Sequence, residues 1–195
     1  SGHLLFTREA VLMAQPFDPG KGEVTGPARP VVDGVLVLPG ASFSAFSASA
    51  TGLLVFHSGE PQAPVPVELR DRKGLPLRAL GGPGNYRAPT FSPDGRWIAT
   101  SGTPGASVDN IDIWLFDTKG AAALRFTLEP TEDVEGIWSP DGKTLFYGSN
   151  ASGPPDIYRK SVDGAGKAEL VLAMPGLQKP TNVSRDGKVL IFDSE

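Results

Sequence analysis

The chain has 195 residues and a formal net charge of −4, with 39% apolar and 21% charged residues; this is the composition of a globular chain of one or two domains and excludes a disordered or bilayer-embedded one. Its 24 Gly and 19 Pro exclude an architecture of long helices and suit many short strands joined by turns. The acidic balance, without a run of five Lys or Arg, argues against nucleic-acid binding, and the lack of cysteine excludes disulfides and thiolate metal sites.

In chain order, the first apolar strand is Gly2-His3-Leu4-Leu5-Phe6, which has neither the charged start nor the long apolar core of a signal peptide. A second, Val11 to Asp18, ends in Pro19-Gly20. Ser49-Ala50-Thr51-Gly52 then leads into Leu53-Leu54-Val55-Phe56, and Val65 to Asp71 ends at Arg72-Lys73-Gly74. Three sharper copies follow. Ser92-Pro93-Asp94-Gly95 precedes Arg96-Trp97-Ile98-Ala99, Ser139-Pro140-Asp141-Gly142 precedes Lys143 to Tyr147, and Ser184-Arg185-Asp186-Gly187 precedes Lys188 to Phe192. The four turn serines are 43, 47 and 45 residues apart. In phase with them, Ile111 to Asp117 ends at Thr118-Lys119-Gly120, and Asp156 to Val162 ends at Asp163-Gly164.

The turn residues have a physical rationale. Ser and Asp oxygens accept hydrogen bonds from the backbone just ahead, Pro presets φ, and Gly takes the positive φ that closes a hairpin. The strands that follow carry apolar residues at consecutive positions, as expected for sheets covered on both faces by neighbours. Four short antiparallel strands per repeat of this length predict one propeller blade. The fold expected is therefore all-β: a single β-propeller domain over residues 1–195, built of four-stranded antiparallel blades. Complete units fall at about 34–80, 81–130 and 131–175. Residues 1–33 hold the last three strands of a unit and 176–195 the first two, giving about four blades in an open or partial ring and the expectation of a fragment of a larger one.

The Ser-Pro-Asp-Gly turns, with Asp112-Ile113-Trp114 and Asp156-Ile157-Tyr158, resemble TolB-type (WD-repeat-like) propeller blades. Four further stretches are similar to the C-terminal propeller of some bacterial receptor-like Ser/Thr protein kinases. They are Leu12 to Asp18, Asp71 to Gly74, Tyr86-Arg87-Ala88-Pro89 and Ser149 to Asp156. The resemblance implies a binding or sensory module. Val67-Glu68-Leu69 departs from it, standing where an aromatic-bearing strand is usual.

Ser92, Asp94, Gly95, Ser139, Asp141, Gly142, Asp186 and Gly187 read as structural turn residues, because recurrence in every unit is what a structural role produces. Asp109, Asn110 and Asp112, with Asp133 and Glu135 later, form the densest acidic groups, and a solvated loop explains them better than a calcium site. His3 and His57 lie in separate repeats with no nucleophile motif beside them. Neither a catalytic residue nor a metal or cofactor is expected. The aromatics Trp97, Trp114, Trp138, Tyr86, Tyr147, Tyr158 and Phe91 read as inter-blade core. Recognition is expected on loops that vary between units, over 102–110 with Asp109 and Asn110, and over 81–87 with Asn85, Tyr86 and Arg87.

The expected function is a non-enzymatic binding, sensor or protein-interaction module, the extracytoplasmic region (periplasm or cell envelope) of a bacterial receptor-like kinase. The alternatives are a substrate-gating propeller of a prolyl-oligopeptidase-like peptidase and a TolB-like envelope scaffold. The expected partner is a protein or peptide, without nucleic acid and without membrane insertion of this segment, and exposed strand edges predict a homodimer or edge-to-edge association.

Overall fold

The computed structural model describes residues 2–35, 46–49, 52–58, 64–105, 110–120, 123–164 and 166–194, and every regular element among them is a strand. No helix among these residues is long and apolar enough to cross a membrane.

The first sheet contains β1 (His3–Arg8), β2 (Val11–Asp18), β3 (Glu23–Val24) and β4 (Arg29–Val32), with β1, β3 and β4 all paired antiparallel to β2. A seven-stranded sheet follows, made of β5 (Phe46–Ala48), β6 (Leu54–Phe56), β7 (Val65–Arg70), β8 (Pro76–Phe91), β9 (Trp97–Pro104), β10 (Asp112–Asp117) and β11 (Ala123–Arg125), in sequential order. The third sheet is β12 (Asp133–Trp138), β13 (Thr144–Ser149), β14 (Asp156–Ser161) and β15 (Glu169–Leu172). A hairpin of β16 (Gln178–Val183) and β17 (Leu190–Ser194) completes the series. Among the described residues no strand of the first sheet pairs with this hairpin, so the sheets form an open, partial propeller.

The seven-stranded sheet is two propeller sheets joined through β8. Residues Pro76 to Gly84 pair with β7, whereas Gly84 to Phe91 pair with β9. A boundary drawn between residues 80 and 81 therefore falls inside one continuous strand. Gly81, at φ +66°, lets the strand change direction there, and a Cβ on it would sit 2.5 Å from Phe116 Cε1. The segment 81–87, expected as a loop, is strand for the same reason: Gly84 is paired on both sides.

The core lies between successive sheets. Leu12 and Val35 meet Leu54 and Phe56 in one cluster. Val55, Val67 and Leu69 pack with Leu80, Tyr86, Ile98 and Phe116 in the next. Ala99, Ile113, Leu115 and Phe126 pack with Trp138, Leu145 and Tyr147 in the third. Burial on both faces explains the consecutive apolar residues: Leu54, Val55 and Phe56 are all buried, as are residues 98 to 103. Burying a Leu, Ile or Phe side chain contributes about 1.5–3 kcal/mol each, so these clusters dominate stability. The aromatics join them. Tyr86 meets Phe116 edge-on at 5.1 Å, and Tyr147 stacks with Tyr158 at 6.4 Å.

Polar stitches cross the seams. Trp138 Nε1 donates to the carbonyl of Thr90 at 3.2 Å, and Thr90 Oγ1 donates to that of Gly136 at 2.7 Å. Two backbone clamps recur one repeat apart, from the Asp133 N–H to the Ile111 carbonyl and from the Gln178 N–H to the Pro155 carbonyl, both at 2.7 Å.

Candidate functional site

The recurring turns share one geometry. In each of the three Asp-bearing copies the serine hydroxyl donates to the aspartate Oδ1 at 2.6 Å, for Ser92 to Asp94, Ser139 to Asp141 and Ser184 to Asp186. The same serine oxygen accepts the N–H of the residue five ahead, at 2.9 to 3.0 Å. The carboxylate accepts the N–H of Arg96, Lys143 or Lys188, and Gly95, Gly142 and Gly187 sit at φ 69–73°. In Ser49 the copy is one residue shorter, its Oγ accepting from Leu53 N at 2.9 Å. The serine hydroxyl bond is the largest influence holding the carboxyls of Asp94, Asp141 and Asp186 below their ordinary range. One oxygen, Oδ1, of each of these aspartates is thus occupied within its own turn. Among the described residues no group of three or more His, Asp or Glu is placed to hold a metal ion.

The other acidic candidates are dispersed by the fold. Asp109 lies outside the described residues. Asn110 stitches two segments, its Nδ2 donating to the Glu129 carbonyl at 3.0 Å. Asp112 is 3% exposed and ion-paired with Arg125 at 2.8 Å. Asp133 is buried beneath hydroxyls; burial pushes its carboxyl above the ordinary range against the opposing bonds of Ser149, Thr127 and Thr131. His3 is exposed and His57 is buried, where desolvation lowers the imidazole and Nδ1 has no partner. His3 lies in β1 and His57 just after β6, and they line different cavities.

Two clefts remain. The larger, about 470 Å³, lies between the first sheet and β6 and is lined mainly by apolar side chains, including Leu5, Leu12, Val31 and Leu54. The smaller, about 220 Å³, lies where β8, β12 and β16, the innermost strands of three successive sheets, begin to converge. Counted back from the turn serines, Arg87, Val134 and Lys179 hold the same repeat position, and each lines this cleft. Their preceding neighbours, Tyr86, Asp133 and Gln178, are buried, as strand alternation requires. Of the residues 85–87 expected on a recognition loop, Tyr86 is therefore core and only Arg87 faces the cleft. Asn85 is paired opposite Thr103 in the sheet.

A bulge follows in two of the strands, with Ala88 at φ 48° and Glu135 at φ 57°. It turns the Glu135 side chain into the cleft, where Oε1 lies 3.8 Å from Lys179 Nζ. Burial raises the Glu135 carboxyl; Lys179 is the main opposing influence, and Arg87 also lowers it while Asp193 raises it. Val134, Pro155 and Leu177 give the cleft an apolar wall. Among the described residues the Arg87 side chain has no hydrogen-bond or close ion-pair partner, its charge reaching Glu135 only from a distance. Lys179 was missed by sequence reading; its signal is that it repeats the Arg87 position when the turns are aligned.

Strand order, inter-sheet cores and an axial cleft together define a β-propeller with a cleft where its inner strands meet. The family model of the TolB beta propeller domain matches residues 78–195, and the chain belongs to that family. It is 32% identical over 83 residues to the Tol-Pal system protein TolB of Helicobacter pylori, a match covering 43% of this chain and 19% of that one. A solved structure of a TolB-type protein from Agrobacterium tumefaciens covers all of this chain with a TM-score of 0.76 at 20% identity, over 66% of its own length. TolB from Acinetobacter baumannii aligns over 93% of this chain and 42% of its own, with a TM-score of 0.69 and 24% identity. An oligogalacturonate lyase from Vibrio parahaemolyticus shares the fold at 15% identity and a TM-score of 0.63, covering 97% of this chain and 55% of its own. The chain thus spans less than two thirds of the length of each of these relatives.

Proposed function

We propose that this chain is a non-catalytic, protein-binding propeller, an envelope scaffold of the TolB kind. The observation that supports it most directly is the axial cleft: on a TolB-family fold, three inner strands deliver side chains from one repeat position to a solvent-open mouth. The carboxylates that recur along the chain each engage one oxygen in their own turns, with the serine hydroxyl and a backbone N–H. The scaffold role implies an extracytoplasmic setting and a protein partner. Calorimetric titration of the full chain against the Tol-Pal proteins of its own source tests the reading. A saturable complex is expected with at least one of them; binding to none, or turnover of an oligogalacturonate, overturns it.

A second reading, the extracytoplasmic sensor region of a receptor-like kinase, draws on the similarity over Leu12 to Asp18, Asp71 to Gly74, Tyr86 to Pro89 and Ser149 to Asp156. A kinase domain in the same open reading frame would favour it over the scaffold.

A further inference from the structure

We propose that the axial cleft is a subsite for a single carboxylate presented by a docked protein or peptide, held between Arg87 and Lys179. This rests on the binding role proposed for the same cleft and names the chemistry it recognises.

The donors are in place and unspent. The Arg87 guanidinium, half-buried and on the cleft wall, offers five N–H groups and uses none of them on a described residue. Among the described residues the Lys179 ammonium has one ion-pair partner, Glu135, at 3.8 Å, well beyond the roughly 2.7–2.9 Å of a charge-assisted hydrogen bond. Its ammonium therefore retains donors for an incoming oxygen. The apolar wall of Val134, Pro155 and Leu177 excludes part of the water that would otherwise compete, which strengthens ionic contacts formed there.

Charge and size select the ligand. A cation entering the cleft would meet the like charges of Arg87 and Lys179 beside Glu135. A phosphate dianion would have to approach Glu135 and Glu132 with two charges. Arg87 and Lys179 balance Glu135 and Glu132 in the lining, so a monoanion meets less repulsion there than a dianion. A volume of about 220 Å³ is below the roughly 300–1,000 Å³ typical of small-molecule and cofactor pockets, and suits one residue of a larger partner. Glu135, aimed inward by its left-handed backbone, is the internal competitor that holds Lys179 until a ligand carboxylate arrives.

The test is a titration of the full chain, followed by NMR of the Arg87 Nε–H and the Lys179 backbone amide, with three capped probes. One is acetyl-Ala-Ala-Glu-Ala-Ala-amide, carrying only a side-chain carboxylate. The second is acetyl-Ala-Ala-Ala-Ala-Leu with a free terminus. The third is acetyl-Ala-Ala-Gln-Ala-Ala-amide, with neither. At least one acidic probe is expected to shift both reporters saturably while the Gln probe does not, and which one does identifies the source of the carboxylate. Arg87→Gln and, separately, Lys179→Gln should each weaken binding by about tenfold, the scale of one charge-assisted contact. Glu135→Gln should strengthen it. Equal shifts from all three probes, no shift from either acidic probe, or unchanged affinity in both cation variants overturns the subsite. If the wild-type chain binds a protein partner that both cation variants bind equally well, the module reading stands and the carboxylate subsite falls. Failure of the wild type to bind any partner counts against the module itself.

Discussion

Two adjacent glycines in β8 should respond to the same substitution with opposite signs. Gly81 sits at φ +66°, and a Cβ there would lie 2.5 Å from Cε1 of Phe116, a side chain that is 1% exposed and held edge-on against Tyr86. Gly81→Ala therefore carries about 1–2 kcal/mol for an L-residue in the left-handed region. Moving a ring packed on all sides adds roughly 1–3 kcal/mol. The sum of about 2–5 kcal/mol corresponds to a drop in Tm of roughly 4–20 °C for a chain of this size. Gly82 has no positive φ and nothing within 4 Å of its would-be Cβ. Gly82→Ala should accordingly stabilise by about 0.4–1 kcal/mol through the unfolded chain. Urea denaturation followed by circular dichroism measures both. Phe116→Leu in the Gly81→Ala background should recover part of the steric cost, so the double mutant is less unstable than the sum of the singles. Equal effects at 81 and 82, or strict additivity with Phe116→Leu, would refute the account of how β8 turns.

Three other outcomes follow from the described contacts. Ser139→Ala removes the acceptor of the Thr144 N–H and should cost about 1 kcal/mol by thermal melt, while NMR titration shows the Asp141 carboxyl rising toward its ordinary value. Asp133 has a folded pKa raised by burial, so the native state holds its proton longer than the unfolded chain; stability therefore falls as pH rises from about 4 through the raised value, and Asp133→Asn should flatten that slope in urea melts across pH 3–7. Arg125→Met leaves the nearly buried Asp112 without its cation and should destabilise by about 1–2 kcal/mol, reduced from a fully buried pair because Arg125 is partly in water; adding Asp112→Asn should restore some of the loss, measured by the same melts.

What could be read from the sequence was local. The Ser-x-Asp-Gly turn closes on itself within five residues, so its hydrogen bonds are written in adjacent letters. The strand after each turn, buried on both faces, also announces itself by composition. Gly81-Gly82-Pro83-Gly84 misleads for the opposite reason. Its letters spell a loop, but Gly84 is paired with Val65 on one side and Pro104 on the other. Those partners are 19 and 20 residues away, and such pairing overrides local preference. Tyr86 follows the same logic: alternation along β8 sends it into the core and leaves Arg87 at the surface. The cleft was illegible because it needs three strands in register. Lys179 reads as an ordinary solvated charge until the turn at Ser184 is aligned with those at Ser92 and Ser139.

β8 also acts as a lever. At about 3.3 Å per residue its 16 residues amount to roughly 50 Å of chain, running from the outer edge of one sheet to the axis of the next with its change of direction at Gly81. Arg87 sits on the axial arm and Pro76 at the far end of the rim arm. A load applied at the axial mouth reaches the periphery through one continuous backbone, braced by β7 on the rim arm and by β9 on the axial arm. The two sheets that share it should therefore open as a single cooperative unit, with amides on both arms exchanging hydrogen at a common rate.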